Sequence, residues 1–473
     1  MQKLVKTLVA LAIAVAALAA ALVLLWINPG REQAQNHVFS DRQATQVQTV
    51  RVENENGVFY VRAQDGGYTV ADIPAELIDI DAFIAFLIDC SEISARKRVT
   101  AGGNAADFGL DAPQARVDVT YLDGGDLTLL LGDREPLSGD YYASAEGDGG
   151  VYLLAAETAE SWLIARQALI SFYITPKLNV SSALSALGDV TFAGGPLAEP
   201  VTITSVSSGG EAVRALARSF GAATHIVQGA GVYELDQTYG LTVLSPLCGL
   251  TAQAIVGYGL SARQLAEYGF DEPYMQVDFD YKNGVAEAVH YTLRITPADE
   301  AGQLFYANTL GSSVVYVIKR EAFLDIAYEK LLLRWFLSPL LMDITGVTVE
   351  TGAHTAKFTV DNSDLKNPVA ALNGQPLDIG RFRQFFKLLC SAANDGQYLG
   401  EQPQPSGRPV MRITYHYSGG KADDVLALYA GDARRVSVSV NGVCEFAMKD
   451  AFVARVSEAL SALKSGEAFD INW

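Results

Sequence analysis

The chain has 473 residues, 49% of them hydrophobic, and 54 acidic against 35 basic residues give it a formal charge of −19. That length and apolar content exclude a disordered chain and supply cores for about two to four domains. The negative charge repels polyanions, argues against sequence-independent nucleic-acid binding, and suits a solvated acidic surface.

Residues 1–6 form a short tip, and the 21 residues from Thr7 to Ile27 carry no charge. As a helix this run would rise about 31 Å, enough to cross a bilayer. Lys3 and Lys6 precede it and Trp26 closes it, which orients the N-terminus to the cytoplasm and the bulk of the chain outside. The run is longer than the apolar core of a signal peptide, so an uncleaved single-pass anchor in the cell membrane is the expectation, with cleavage as the alternative. Residues 28–46 are polar and aperiodic and read as a linker.

From Val47 the sequence alternates into a hairpin, and Asp79 to Ser94 places Ile80, Phe83, Ile84, Leu87, Ile88 and Cys90 at helical spacing, with Asp81 as its cap. Then comes DFGLDAPQARVDVTYLDG at 107–124, which returns ungapped as EYGFDEPYMQVDFDYKNG at 267–284, with seven of 18 positions identical. A fixed-offset echo of this length marks a repeated structural unit. Gly109 and Gly269 suit a positive φ, Pro113 and Pro273 set the entry to a strand, and the alternation ends on Tyr121 and Tyr281. Asp111 and Asp271 suit a turn that bonds its own backbone better than a paired acid and base, because each lies in its own unit.

The strands Leu127–Leu131, DYYAS and VYLLA follow, and a helix from Ala156 to Phe172 closes the first unit, 47–175. The second unit, 176–340, repeats this order. VTITSV is a strand, EAVRALARSF is helical, Leu241–Tyr258 stands near the place of the long helix, and Glu321–Leu337 is the closing helix. The third unit, 341–473, lacks the Gly-x-Asp-x-Pro signature, yet Asp378–Ala392 matches the long helix, Pro409–Gly420 the motif strand, and Asp450–Leu463 the closing helix. Hairpins mixed with helices, without regular β-α alternation, make the class α+β with antiparallel sheets and flanking helices.

FGLDAP with VDVTYLDG, LGD, YYAS and VYLL, behind an N-terminal anchor, resembles the bacterial DUF4340 family, most clearly over 70–172 and less clearly over 240–337. The resemblance implies an auxiliary component of ABC-type transport systems related to those of gliding motility, with integral-membrane transporter subunits as partners. The family defines no catalytic residues, so it implies none here.

The residues add no chemistry of their own. His37, His225, His290, His354 and His416 form no ligand pattern, and there is no nucleophile elbow, Walker loop or dinucleotide fingerprint. Cys90, Cys248, Cys390 and Cys444 include no C-x-x-C pair; Cys90 and Cys390 read as buried thiols at comparable places in two helices, with a disulfide left open. Asp123 with Asp126, Glu146 with Asp148, and Asp361 with Asp364 lack calcium-loop spacing. Tyr141, Tyr142, Tyr152, Tyr306 and Tyr316 read as core or cross-strand pairs. No catalytic residue, metal site or cofactor is assigned. The expectation is a non-enzymatic, extracytoplasmic scaffold or binding subunit; the alternatives are an envelope hydrolase with a site between units and a surface module for glycan or peptide.

Overall fold

The computed structural model describes residues 37–473 apart from 65–66, 100–103, 222, 285–286 and 353. The expected membrane span Thr7–Ile27 and the first part of the linker lie outside the described residues. Among the described residues no helix is long and apolar enough to cross a membrane. The chain divides into two compact units, one ending at Ser171 and one running from Phe172 to Trp473; the first holds one sheet and the second holds two.

All three sheets are nine-stranded and antiparallel throughout, so the molecule is α+β as the sequence leads one to expect. In the first, the strand order is His37–Asp41, Glu92–Arg98, Tyr152–Leu154, Tyr141–Ala145, Asp126–Arg134, Ala115–Tyr121, Val47–Asn54, Gly57–Gln64, Gly67–Val70. The second runs Ala254–Gly257, Val315–Lys319, Leu304–Thr309, Val289–Pro297, Met275–Tyr281, Leu187–Gly194, Val201–Ser205, His225–Gln228, Val232–Glu234. The third runs Gln397–Gln402, Val443–Lys449, Arg435–Val440, Asp424–Ala430, Met411–Tyr417, Ile344–Thr351, His354–Asp361, Val369–Leu372, Gln375–Leu377. Each sheet is therefore an N-terminal meander, a helix, a single strand, at the edge in the second and third sheets, and a second four-strand meander laid against the first strand of the N-terminal meander.

The second and third sheets share this topology strand for strand. The first reaches nine differently: its fourth meander strand shrinks to a single Val70–Ile73 bridge, and His37–Asp41 adds to the opposite edge beside Glu92–Arg98. Residues 37–46, expected as part of a linker, are thus a strand followed by a 3-10 turn at Ala44–Gln46. The strand is only five residues long and ends on Asp41, as short, charged edge strands do where one row of backbone groups has no neighbour.

The two meanders join at one repeated register. Val47 pairs with Tyr121, Leu187 with Tyr281 and Ile344 with Tyr417, and each pair is followed by a bulge in the first strand. The strands Ala115–Tyr121, Met275–Tyr281 and Met411–Tyr417 bury every second residue in the same pattern, which fixes their register because a one-residue slip would turn the apolar set to solvent.

The helix ahead of the edge strand also repeats. Ile80–Ser91, Gln237–Leu244 and Ile379–Leu389 begin on Asp79, Asp236 and Asp378, whose carboxylates accept from the backbone N–H of Ala82 (3.1 Å), Tyr239 (3.0 Å) and Arg381 (2.9 Å). The cap of the first helix is therefore Asp79; Asp81, expected in that role, lies inside the first turn. In the second unit the helix starts before Leu241 and stops at Leu244, where Pro246 enters a 3-10 turn, and Ala254–Gly257 is already the edge strand.

The first two closing helices are much shorter than expected. After Ala156–Ser161 the carbonyls of Trp162 and Ile164 accept from the Asn54 amide and that of Leu163 from the Asn56 amide, which draws the chain out of the helix. Glu321–Leu337 yields only a 3-10 turn, Ala322–Asp325, and one helical turn, Tyr328–Leu331. Leu332 then bridges Leu235 and Trp335 bridges Ala393, so an extended segment joins the capped helices of the second and third sheets. The third closing helix, Ala451–Ser465, forms as expected.

All four cysteines are free thiols. Cys90, Cys248 and Cys390 sit at or just beyond the ends of the three capped helices, and burial raises the pKa of each, with Cys390 pushed up to about 12. They pack as small apolar groups beneath the tyrosines of the motif strands.

Candidate seam between the second and third sheets

The sequence motif residues are structural. Gly109 caps a 3-10 turn at φ 71°, and a Cβ there would lie 2.5 Å from Asp133 Cγ; Gly269 repeats the conformation at φ 80°. Tyr121 is fully buried and donates to the carbonyl of Cys90 at 3.0 Å, while Tyr281 donates to that of Pro176 at 2.8 Å. Pro113 and Pro273 stand two residues ahead of the motif strands. Asp111 and Asp271 are exposed, and neither carboxylate makes a hydrogen bond among the described residues. Asp111 and Pro113 line an open groove of about 790 Å³ on the first unit, where no buried titratable group joins them.

Chemistry gathers instead where the second and third sheets meet. The turn at 229–231 of the second sheet lies against the strand Val443–Lys449 of the third. Glu445 on that strand is only 1% exposed, and its Oε2 accepts from the Tyr233 hydroxyl at 3.0 Å and the Tyr328 hydroxyl at 3.4 Å. The glycines are required by this approach: a Cβ on Gly231 would lie 2.6 Å from the Tyr233 ring, and one on Gly229 at 2.6 Å from the Tyr328 ring. Phe446 packs against Tyr233, Tyr398 and Phe336, and Tyr328 meets Tyr398 edge-on at 5.8 Å.

Burial raises the pKa of Glu445, the two tyrosine hydroxyls oppose that rise, and nearby Glu401 adds to it. Its Oε1 is buried without a hydrogen-bond partner. Such an orphaned polar atom costs about 1–3 kcal/mol, and among the orphans of the described residues this one belongs to a carboxyl group beside a pocket.

A second cluster closes the seam some way along. Lys421 Nζ donates to Asp424 Oδ2 at 2.6 Å and to Ser219 Oγ of the second sheet's unit at 2.9 Å, and lies 3.6 Å over the Tyr417 ring. Asn441 donates to Asp424 Oδ1 at 3.0 Å, and Tyr417 donates to Oδ2. Burial lowers the pKa of Lys421, and Asp424 acts against that shift. With the ammonium held by a buried carboxylate, Lys421 acts as a donor to Ser219 and has no lone pair to activate it. Above this clasp opens a cleft of about 770 Å³, and on the other side of the 229–231 turn lies a pocket of about 540 Å³ that includes Glu445.

His290 is held between Asp280 and, at 3.5 Å, Thr292 Oγ1, and His416 is set in a closer relay. Its Nδ1 meets Asp423 Oδ2 at 2.7 Å and its Nε2 meets Thr348 Oγ1 at 2.8 Å. His290 pairs with Asp280 at 2.9 Å on the second sheet. Thr348 belongs to a strand paired on both sides, so its own backbone amide serves the sheet rather than an oxyanion. Among the described residues no group of three His, Cys, Asp or Glu could hold a metal ion.

Glu445, Tyr233, Tyr328 and Lys421 were not singled out from the sequence. One signal was present: a lone glutamate inside the apolar run Val443–Met448, which a strand facing a core does not carry without cause. Nothing local pairs Lys421 with Ser219, 202 residues away.

Fold and seam together define an α+β module of nine antiparallel strands, used three times, with polar chemistry concentrated between its last two copies. Residues 68–171 match the model of a domain of unknown function, DUF4340, and this segment belongs to that family. The match begins in the strand Gly67–Val70 and ends at the close of the first compact unit, so it takes in the capped helix, the signature turn and the strand ending on Tyr121. No curated protein and no solved structure matches the chain.

Proposed function

We propose that the chain is a non-enzymatic scaffold or binding subunit, anchored in the cell membrane by Thr7–Ile27 with its bulk outside, and accessory to an ABC-type transport system. The observation that carries the binding role is the seam: cavities of about 770 and 540 Å³, within the size range of small-molecule sites, flank one turn and are walled by rigid strands. Lys421, the cation of the seam, is committed to Asp424, which supports recognition over catalysis there. A ridge on the first capped helix adds a partner surface: Ile80, Ile84 and Ile88 follow one another at i, i+4, i+8 and are 61%, 48% and 41% exposed.

The anchor and the transporter association rest on the sequence. Their test is purification of the full chain from membranes in mild detergent, followed by identification of what accompanies it. Transporter subunits are expected; recovery of the chain alone would contradict the accessory role.

A second reading, a hydrolase, is favoured by the Thr348–His416–Asp423 relay alone. It requires that ester hydrolysis by the purified chain be abolished by Thr348→Ala; activity that survives this change, or no activity, removes it.

A further inference from the structure

We infer that the smaller seam pocket is a binding site for a protonated primary amine carried on an apolar body. This rests on the reading of the seam as a binding element and names the ligand class. The pocket of about 540 Å³ is formed by Glu199, Glu329, Glu401 and Glu445 together with Tyr328 and Tyr398. Acidic side chains at a rim are ordinarily a solvated surface, and three of these are at least partly exposed. Glu445 is different: it is 99% enclosed by the fold, forms part of the pocket, and carries a buried Oε1 that no group among the described residues satisfies.

The two states of that carboxyl group point to the same ligand charge. Ionised, Glu445 is a buried anion with hydroxyl donors on one oxygen only, and an ammonium supplies the missing donor and the countercharge. Protonated, it meets a pocket whose remaining carboxylates already attract cations, and an entering ammonium displaces its proton. Glu401 acts electrostatically on Glu445, and Glu329, Glu401 and Glu445 all act on Tyr398, so these carboxylates share one field.

Shape excludes the simplest cation. No three described carboxylates or other ligands converge tightly enough for a metal ion, and divalent cations need such convergence. An amine needs only one close carboxylate and a negative surround. Tyr328 and Tyr398, with Leu197 and Ile326, line the same pocket and provide apolar contact for the rest of the ligand.

The test is isothermal titration calorimetry of the purified full chain with phenethylamine, using 2-phenylethanol as the uncharged match and magnesium as the metal. Saturable binding of one phenethylamine per chain is expected, with no saturable heat from 2-phenylethanol or magnesium. Glu445→Gln should weaken binding at least about tenfold, since it removes a charge-assisted hydrogen bond. Glu401→Gln, at the exposed rim where folding is not at stake, should weaken it by a smaller factor. The inference is overturned if the folded chain takes up no phenethylamine, if 2-phenylethanol binds as well, if magnesium competes for the site, or if both variants bind as the parent does. Loss of the inference with transporter subunits still recovered would leave the accessory role standing; binding of phenethylamine by a chain that purifies alone would do the reverse.

Discussion

The second and third sheets carry different sequence signatures and the same structure. Met275–Tyr281 follows a Gly-Phe-Asp-Glu-Pro turn, Met411–Tyr417 follows nothing like it, and yet the two strands bury the same alternate positions and pair with Leu187 and Ile344 through the same bulged register. The signature is therefore a local device for entering a strand. What all three sheets retain is an aspartate-capped helix, a strand that buries every second side chain, and a bulge where the two meanders meet. The third sheet invests instead in the seam, through Glu445 and the Lys421–Asp424 pair.

This comparison can be broken in several places. Lys421→Met should have the largest effect, a loss of about 3–5 kcal/mol in denaturant unfolding, because it leaves Asp424 buried without its cation. A change within about 0.5 kcal/mol would show that the clasp is not part of the fold's stability. Gly109→Ala should cost about 1–3 kcal/mol, since it combines a left-handed backbone with a clash against Asp133. Gly269→Ala should cost less, because its nearest neighbour, Thr296 Cγ2, would lie at 3.7 Å. Equal losses would mean that backbone strain alone matters at both turns.

Removing the caps tests what the sheets share. Asp236→Ala and Asp378→Ala should each cost about 1 kcal/mol, alike with and without the signature, as loss of a helix N-cap does. A pH series sharpens the seam. Glu445 has a folded pKa raised above its ordinary 4.5, so the folded state holds the proton longer than the unfolded one and stability falls as pH rises through that interval. Glu445→Gln does not titrate, so its melting temperature relative to the parent should increase as pH rises above the ordinary glutamate value of 4.5. A constant difference would mean that Glu445 ionises without penalty. Smallest of all, Asp111→Asn and Asp271→Asn should change stability by less than about 0.5 kcal/mol, since both side chains are exposed.

The parts of the fold that were legible in the sequence are those written in local patterns. Alternation gave the strand ending on Tyr121, helical spacing gave the segment that begins at Ile80, and the 160-residue echo of Pro113 in Pro273 gave the repetition. The closing segments were misread because Ala156–Phe172 and Glu321–Leu337 have helical composition, while the carbonyls after Ser161 are claimed by Asn54 and Asn56, and Leu332 and Trp335 bridge the distant residues Leu235 and Ala393. Tertiary hydrogen bonds override propensity there. The seam was hidden for a related reason: Glu445 meets Tyr233 across 212 residues, and no local pattern encodes that distance. A charged residue inside an apolar strand was the one visible trace.

The second and third sheets lie in one compact unit and are joined across the seam. Hydrogen exchange read by mass spectrometry on the full chain, parent against Lys421→Met, tests it most directly. Protection should fall together in Val232–Glu234 of the second sheet and Val443–Lys449 of the third, with Ala115–Tyr121 of the first unchanged. Loosening confined to the third sheet would contradict it.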